Sequence, residues 1–259
     1  METAAPPYSP SRSLYHKAAR RMTQWRTVKP LGRDPASAIV SFTFDDFPKS
    51  AATAGAKILE AAGGRGTYYA CTGMAGQANT MGDLFDAGDL ARLSAAGHEI
   101  GAHTHLHLDC AQASTERALE DVDVNLAQLR DMGVAGRVTQ FAFPFGETRT
   151  SLKRQLASRF DACRGILPGR NCAQSDLTQL RAFELDGTDA RTDAALKAIR
   201  QLRHSPAWIV LFTHDVSDLQ SGYGVTEAVL ERLVGASVSA GAALLTMSEA
   251  LAAIREVPA

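Results

Sequence analysis

Short apolar runs alternate with longer segments of helical periodicity along most of the sequence, and this alternation constrains the fold more than any other feature. Short apolar runs bounded by turn residues are typical of buried parallel strands, whereas apolar residues spaced three and four apart indicate amphipathic helices. The predicted strands are Ala38–Phe44, Gly66–Cys71, Glu99–Ala102, Thr139–Phe143, Arg181–Leu185, Trp208–Thr213 and Ala242–Met247. The predicted helices are Ala51–Ala62, Leu84–Ala96, Thr115–Met132, Thr192–His204 and Thr226–Ser239.

The order of these elements predicts one α/β domain. Strand–helix alternation implies a parallel sheet covered by helices, and about seven strands favour closure into a distorted (β/α) barrel over an open sheet. Gly63, Gly97 and Gly133 follow three of the predicted helices, where a left-handed cap favours glycine. We expect residues 37–259 to form this domain, after an irregular N-terminal arm over residues 1–36 that is rich in Pro, Ser and Arg.

The charge and cysteine content narrow the classes of partner and cofactor. The 27 basic and 28 acidic residues give a net charge of −1, so no basic excess favours nucleic acid or an anionic membrane. The four cysteines lack C-x-x-C spacing, which argues against both a disulfide framework and a structural zinc site. We find neither an apolar signal-peptide segment nor a stretch long enough to span a bilayer, and we therefore predict a cytoplasmic protein. The sequence leaves the oligomeric state open.

Two neighbouring carboxylates, Asp45 and Asp46, end the first predicted strand. Adjacent strand residues point to opposite faces, so both cannot lie inside an apolar barrel if the strand continues. If the strand ends at Asp45, both carboxylates can face the barrel mouth. The alternative is a solvated Asp-Asp turn.

Three histidines in five residues, His103, His105 and His107, follow the third predicted strand. Each neutral imidazole needs a partner when it is buried, so metal ligation explains the cluster better than a core role. An extended strand would pair His103 with His105, whereas a compact loop would pair His103 with His107. Because the strand is expected to end here, we favour His103 and His107. His214 follows another apolar strand, and it is expected at the same end of the barrel.

Four sequence blocks together resemble the polysaccharide deacetylase family, the NodB-homology group of carbohydrate esterase family four. They are Phe42-Thr43-Phe44-Asp45-Asp46, His103-Thr104-x-x-His107, Phe143-Pro144-Phe145-Gly146 and Leu211-x-x-His214, and the resemblance extends from about residue 38 to about residue 250. It implies a deacetylase domain over residues 37–259 in which Asp45 is the general base, His214 is the general acid, and the backbone N–H of Phe145 donates to the oxyanion.

The resemblance also implies the ligands and the substrate. Asp46, His103 and His107 would bind a divalent metal, zinc or alternatively Co, Ni or Mn, and Leu211, Pro144 and Phe143 would contact the substrate. That substrate would be an acetylated sugar or polysaccharide, with N-acetyl favoured over O-acetyl. A non-catalytic carbohydrate-binding or scaffold protein on the same fold is the alternative.

Several positions depart from the family pattern. Ala142 occupies the place of an arginine that orients the base, and Arg164 and Arg181 are the candidates to replace it. No block supplies the Asp that tunes the acid histidine, and Asp186 is the candidate for that role. Phe47, Ala142 and Phe145 predict a more apolar mouth than is usual, which favours a small or moderately sized acetylated sugar.

Overall fold

Parallel strands form the main sheet of the computed structural model, which describes residues 21–219 and 221–256. In chain order the strands are β1 (Ile39–Asp45), β2 (Thr67–Ala70), β3 (Ala78–Asn79), β4 (Gly82–Asp83), β5 (Glu99–Ala102), β6 (Gln140–Ala142), β7 (Ala162–Arg164), β8 (Phe183–Glu184), β9 (Trp208–Thr213) and β10 (Ala243–Leu244). The order across the main sheet is β7-β6-β5-β2-β1-β9-β8, and β10 pairs with the beginning of β1. β3 and β4 form a separate antiparallel hairpin.

All helices but the last, whose buried residues pack on the inner face, cover the outside of this sheet. The helices are α1 (Ala56–Ala61), α2 (Ala87–Ala95), α3 (Thr115–Asp131), α4 (Thr150–Leu156), α5 (Asp189–Gln201), α6 (Glu227–Ser239) and α7 (Met247–Glu256). A π-helical turn, Ala51–Gly55, leads into α1. Ser114 and Thr226 cap α3 and α6 by accepting hydrogen bonds from backbone N–H groups of the first turn. Among the described residues, no helix is long and apolar enough to cross a membrane.

Strand residues alternate between two apolar clusters, because successive side chains point to opposite faces of a strand. Val40, Phe42 and Phe44 of β1 belong to the cluster between the sheet and the helices, which we call the outer core. Ile39 belongs to the smaller cluster enclosed by the curled sheet, which we call the inner core, together with Trp208 of β9. The sheet therefore curls into a half-barrel of seven parallel strands, and the predicted fold class is confirmed.

The half-barrel is open between β7 and β8, the two ends of the sheet order, and the described part of the N-terminal arm packs along this seam. Leu31 donates a backbone hydrogen bond to Ser175, and Leu177 donates one to Lys29. The buried ammonium of Lys153 donates to the backbone oxygens of Thr23 and Arg26 at 2.9 Å each. The arm from residue 23 onward is thus tied by specific contacts to α4 and to the segment between β7 and β8.

The glycine caps are confirmed, with φ angles of 73°, 85° and 93° at Gly63, Gly97 and Gly133. The sequence prediction missed β7, which is short and ends in a charged residue, and it missed the helix α4. The predicted last strand, Ala242–Met247, is wrong in its second half, because the chain enters α7 at Met247.

Candidate metal centre and acid–base site

Asp45 and Asp46 both lie at the carboxyl end of β1, and both are buried. Asp45 is the last residue of the strand, and its side chain is on the same inward face as those of Ser41 and Thr43. Asp46 adopts a φ of 45°, so the chain leaves the extended conformation immediately after Asp45. The break between the two residues explains how neighbouring carboxylates can both serve the same end of the half-barrel.

Asp46, His103 and His107 bring three ligand atoms to within 4.8 Å of one another. His107 Nε2 lies 2.9 Å from an oxygen of Asp46, and His103 Nε2 lies 3.8 Å from the other oxygen. The ring of His105 contacts the hydroxyl of Thr72 at 3.0 Å instead. The structure therefore groups His103 with His107, the pair that a compact loop predicts.

The donor set and its surroundings fit a divalent metal. The Oδ1 atom of Asp46 is buried and has no hydrogen-bond partner among the described residues, so it retains lone pairs for a cation. His103 Nδ1 lies 2.8 Å from the carbonyl oxygen of Ala142; a proton donated there leaves the Nε2 lone pair on the side of Asp46. One carboxylate and two imidazoles are the donors of many catalytic zinc and iron sites.

The electrostatics of the three groups are mutually dependent. Burial opposes ionisation of Asp46, but the nearby His107 and His103 outweigh it and hold the pKa of Asp46 below its usual range. Burial lowers the pKa of His103, which favours the neutral imidazole that metals bind. Burial also acts against a charge on His107, but the adjacent Asp46 carboxylate raises the pKa of His107 overall.

Backbone strain is concentrated at this site. Among the described residues, the non-glycine positions with positive φ are Asp46, Thr104, His107 and Phe145, with values between 45° and 59°. This left-handed conformation is unfavourable for residues with a Cβ atom, and it persists only where surrounding contacts impose it. Its occurrence in three of the four family blocks indicates that the surrounding fold imposes these loop conformations.

Two buried polar residues of α3, Asp121 and Asn125, hold the histidine loop. The Asn125 Oδ1 atom accepts the N–H of His103 at 3.3 Å, and its Nδ2 atom donates to the carbonyl oxygen of Thr104 at 2.8 Å. Asp121 Oδ1 accepts the backbone N–H groups of His105 and Leu106 at 2.8 and 3.0 Å. Sequence reasoning missed both residues, although two polar side chains four apart on the apolar face of a helix were a usable signal.

Arg164 takes the place of the arginine that the family pattern has at the position of Ala142. It lies opposite Ala142 in the register of β6 and β7, it is fully buried, and its guanidinium contacts the carboxylate of Asp45. The guanidinium carbon also lies 4.5 Å from the ring centroid of Phe212, in cation–π contact. Arg181 lies elsewhere and donates to the carbonyl oxygen of Pro168 at 3.2 Å.

His214 follows β9 and is partly buried. Its Nδ1 atom lies 3.1 Å from the carbonyl oxygen of Tyr223, and its backbone N–H donates to the same oxygen at 3.2 Å. An Nδ1 proton donated to this carbonyl leaves Nε2 available to a substrate. The candidate tuning residue Asp186 does not occupy that role, because it pairs with Arg191 at 3.0 Å.

The residues predicted to contact the substrate or the oxyanion do not all lie at the candidate site. Phe145 lies beside the candidate metal ligands, with its ring centroid 4.5 Å from that of His107, and Pro144 precedes it in the same 3-10 turn. Phe143 and Leu211 lie in the outer core, so the structure does not bring them to the site. On β9, the side chain of Leu211 points outward. The side chain of the next residue, Phe212, points inward and contacts Arg164.

The predicted apolar mouth is also only partly realised. Phe47 is fully buried in the outer core, where its ring stacks on Phe85 with centroids 4.4 Å apart. Ala142 is buried in the inner core. Of the three substituted positions, only Phe145 contributes an apolar surface next to the metal ligands.

The comparisons with known proteins identify the same fold. The family model described as polysaccharide deacetylase matches residues 32–162, about half of the chain. The structure is similar to a candidate polysaccharide deacetylase from Mycobacterium smegmatis, with 15% identity, a TM-score of 0.63, and coverage of 89% of this chain and 94% of that one. No match was found among curated proteins.

Two further solved structures differ in their described activity. A family 4 carbohydrate esterase from Streptomyces lividans, in complex with acetate, is 18% identical with a TM-score of 0.54, covering 80% of this chain and 91% of that one. A family 4 pseudoenzyme from Bacillus anthracis is 13% identical with a TM-score of 0.56, covering 84% of this chain and 66% of that one. Likenesses at this level of identity concern the fold, and both active and inactive proteins share it.

Proposed function

The chain belongs to the polysaccharide deacetylase family, and from that premise we propose that it is a metal-dependent hydrolase that removes acetyl groups from a sugar or an oligo- or polysaccharide. We favour N-acetyl over O-acetyl substrates. The observation that carries the proposal is the grouping of Asp46, His103 and His107 ligand atoms within 4.8 Å, immediately beside the arginine-bound carboxylate of Asp45. A ligand group next to a positioned base is the arrangement that hydrolysis by an activated water requires.

Asp46, His103 and His107 would hold the metal, for which zinc is our first choice and Co, Ni or Mn the alternatives. When bound, such a cation supplies Lewis-acid chemistry, polarising the acetyl carbonyl and lowering the pKa of a water from about 15.7 towards roughly 7. The neutral imidazole that burial favours at His103 suits this ligand role.

Asp45 would accept the proton that the attacking water releases. Its contact with the buried guanidinium of Arg164 keeps the carboxylate oriented. The Oδ1 atom of Asp45 has no hydrogen-bond partner among the described residues, so this oxygen is available to take up the proton. The arginine therefore occupies one oxygen and leaves the other for chemistry.

Phe145 and His214 would complete the reaction. The backbone N–H of Phe145, set by its left-handed conformation beside His107, would donate to the developing oxyanion, an interaction typically worth about 100- to 1000-fold in rate. His214, oriented through Nδ1 by the carbonyl of Tyr223, would deliver a proton from Nε2 to the leaving nitrogen. Acetate and the free amine would be the products.

The alternative is a non-catalytic protein on the same fold, and the pseudoenzyme among the similar structures makes it a real candidate. The test is acetate release from soluble N-acetylated and O-acetylated oligosaccharides by the metal-loaded protein, compared with the Asp45→Asn variant. Release that requires Asp45 would support the hydrolase. A folded, metal-bound protein that releases no acetate from any substrate of the panel would favour the non-catalytic alternative.

A further inference from the structure

A cavity of about 490 Å³ lies along the seam between β7 and β8. None of the three candidate metal ligands, Asp46, His103 and His107, lines this cavity. Its walls come from residues 24–27 of the N-terminal arm and from the segment that connects β7 to β8. The volume is within the usual range for small-molecule sites, about 300–1000 Å³. The same segment pairs Leu180 with Arg164 of β7, the residue whose guanidinium contacts Asp45.

An exposed tryptophan forms part of this cavity. Trp25 is 81% exposed, although indole is among the largest apolar surfaces that a side chain offers. Planar amide side chains, those of Gln174 and Gln179, line the same space. An aromatic face beside amides matches a pyranose ring, which has apolar C–H faces and polar hydroxyls at its edge.

The cavity carries excess positive charge. Arg170 and Arg181 line it, and in the described part of the chain neither lies within ion-pair distance of a carboxylate. The acidic side chain in the lining, Asp176, is paired with Lys153 at 2.7 Å. The guanidinium of Arg181 donates to the carbonyl oxygen of Pro168, and a guanidinium has five N–H donors. Arg181 thus retains donors for a carboxylate in the cavity.

We propose that this cavity binds an acidic saccharide, a pyranose ring that bears a carboxylate, with the ring on Trp25 and the carboxylate on Arg181. The proposal rests on the proposed function in that the protein acts on saccharides. It adds a second binding site outside the metal centre, which would favour an oligomeric substrate containing uronate-type units over a neutral one.

The chain provides two reporters for a binding test. It has two tryptophans, and Trp208 is fully buried, so ligand-dependent changes in indole fluorescence would come from Trp25. Cys172 lines the cavity and is partly exposed, whereas the other three cysteines are buried, so a thiol reagent should modify Cys172 first. The probe is hyaluronan tetrasaccharide, which is acidic and N-acetylated, and the matched neutral probe is tetra-N-acetylchitotetraose.

We expect hyaluronan tetrasaccharide to change the fluorescence of the full chain saturably and to protect Cys172 from the reagent, with weaker binding at higher salt. In calorimetry, Arg181→Gln and Trp25→Ala should each weaken binding at least about tenfold. Arg154→Ala, on the exposed side of α4, should bind with unchanged affinity, because Arg154 does not line the cavity. Binding by a protein that releases no acetate would sink the proposed function and leave this proposal standing.

Three outcomes would overturn the proposal. Tetra-N-acetylchitotetraose binding as tightly as the acidic probe would remove the role of Arg181. Displacement of the probe by inorganic phosphate, with affinity unaffected by Trp25→Ala, would identify a simple anion site. Failure of acrylamide to quench Trp25 in the full chain would show that the cavity is already covered.

Discussion

Arg164 on β7 lies directly opposite Ala142 on β6, and from this position its guanidinium contacts the carboxylate of Asp45. The family resemblance predicts an arginine at residue 142, and the chain carries it one strand further along the sheet. Side chains opposite one another on neighbouring strands lie close enough to serve the same point in space. An arginine on either of these two strands can therefore reach the carboxylate of Asp45 without a change of fold.

Because residues 142 and 164 are opposite each other, an arginine introduced at position 142 should restore activity that is lost when Arg164 is removed. Arg164→Ala should lower turnover by at least about 100-fold, since a misplaced general base loses most of its contribution. Adding Ala142→Arg to that variant should restore a substantial part of the lost activity, because the new guanidinium starts from the opposite register position. Turnover is measured as acetate release, with Arg154→Ala on the exposed side of α4 as the control for loss of an arginine. A double variant that is folded but no more active than Arg164→Ala would contradict the prediction.

The metal site predicts a selective loss among three neighbouring histidines. His103→Ala and His107→Ala should each abolish binding of one divalent metal per chain, because each removes a nitrogen from the 4.8 Å group. His105→Ala should retain the metal, since its ring contacts Thr72 instead. Metal content is measured by elemental analysis after gel filtration. Equal loss in all three variants would disprove the assignment.

The buried polar face of α3 predicts a positioning effect without direct metal contact. Asn125→Leu should weaken metal binding by about 10- to 100-fold, the range typical of groups that orient ligands, because it releases the backbone of His103 and Thr104. Asp123→Asn on the exposed face of the same helix is the matched control. Metal affinity is measured by competition with a chelator. Unchanged affinity in a folded Asn125→Leu protein would show that the loop holds its shape without the amide.

Removing the side chain of His214 should affect turnover but not metal binding. His214→Ala should keep the metal but lower turnover by about 100- to 10,000-fold, if it supplies general-acid catalysis. Metal content and acetate release are measured on the same preparation. Full turnover in a folded variant would make His214 a structural residue whose bonds to Tyr223 only fix the loop.

His98 predicts a pH dependence of stability that is independent of the metal. Its buried ring accepts the N–H of Gly66 at Nδ1, at 3.0 Å, and its Nε2 lies 3.0 Å from Glu60, so the neutral form fits its surroundings. Burial lowers the pKa of His98 from its ordinary 6.5. The unfolded chain therefore binds a proton more readily, and the free energy of unfolding should fall as the pH drops below about 6.5.

Urea unfolding between pH 7.5 and pH 5 measures this effect. His98→Asn, whose side-chain oxygen can still accept from Gly66, should show a smaller loss of stability over the same range because it cannot be protonated. Identical pH slopes for the two proteins would assign the acid sensitivity to other groups.

The cytoplasmic location and the preference for a small soluble sugar stay predictions. Cell fractionation would test the location, and a comparison of acetate release from soluble and insoluble substrates would test the preference.

The sequence by itself determined the fold class and predicted the three side chains, Asp46, His103 and His107, that the structure groups together. Periodicity is a local property, so alternation along the chain predicted the parallel sheet, and the expected end of the third strand favoured His103 and His107 over His103 and His105. Only the tertiary structure decided which distant groups complete the site. The sequence offered both Arg164 and Arg181 as partners of Asp45, and only the structure placed Arg164 against it. Asn125 and Tyr223 were not predictable as partners of His103 and His214, because strand order and helix packing bring them together across sequence separation. The parity of β9 likewise placed Leu211 outside and Phe212 inside, since a one-residue difference in register exchanges the two faces of a strand.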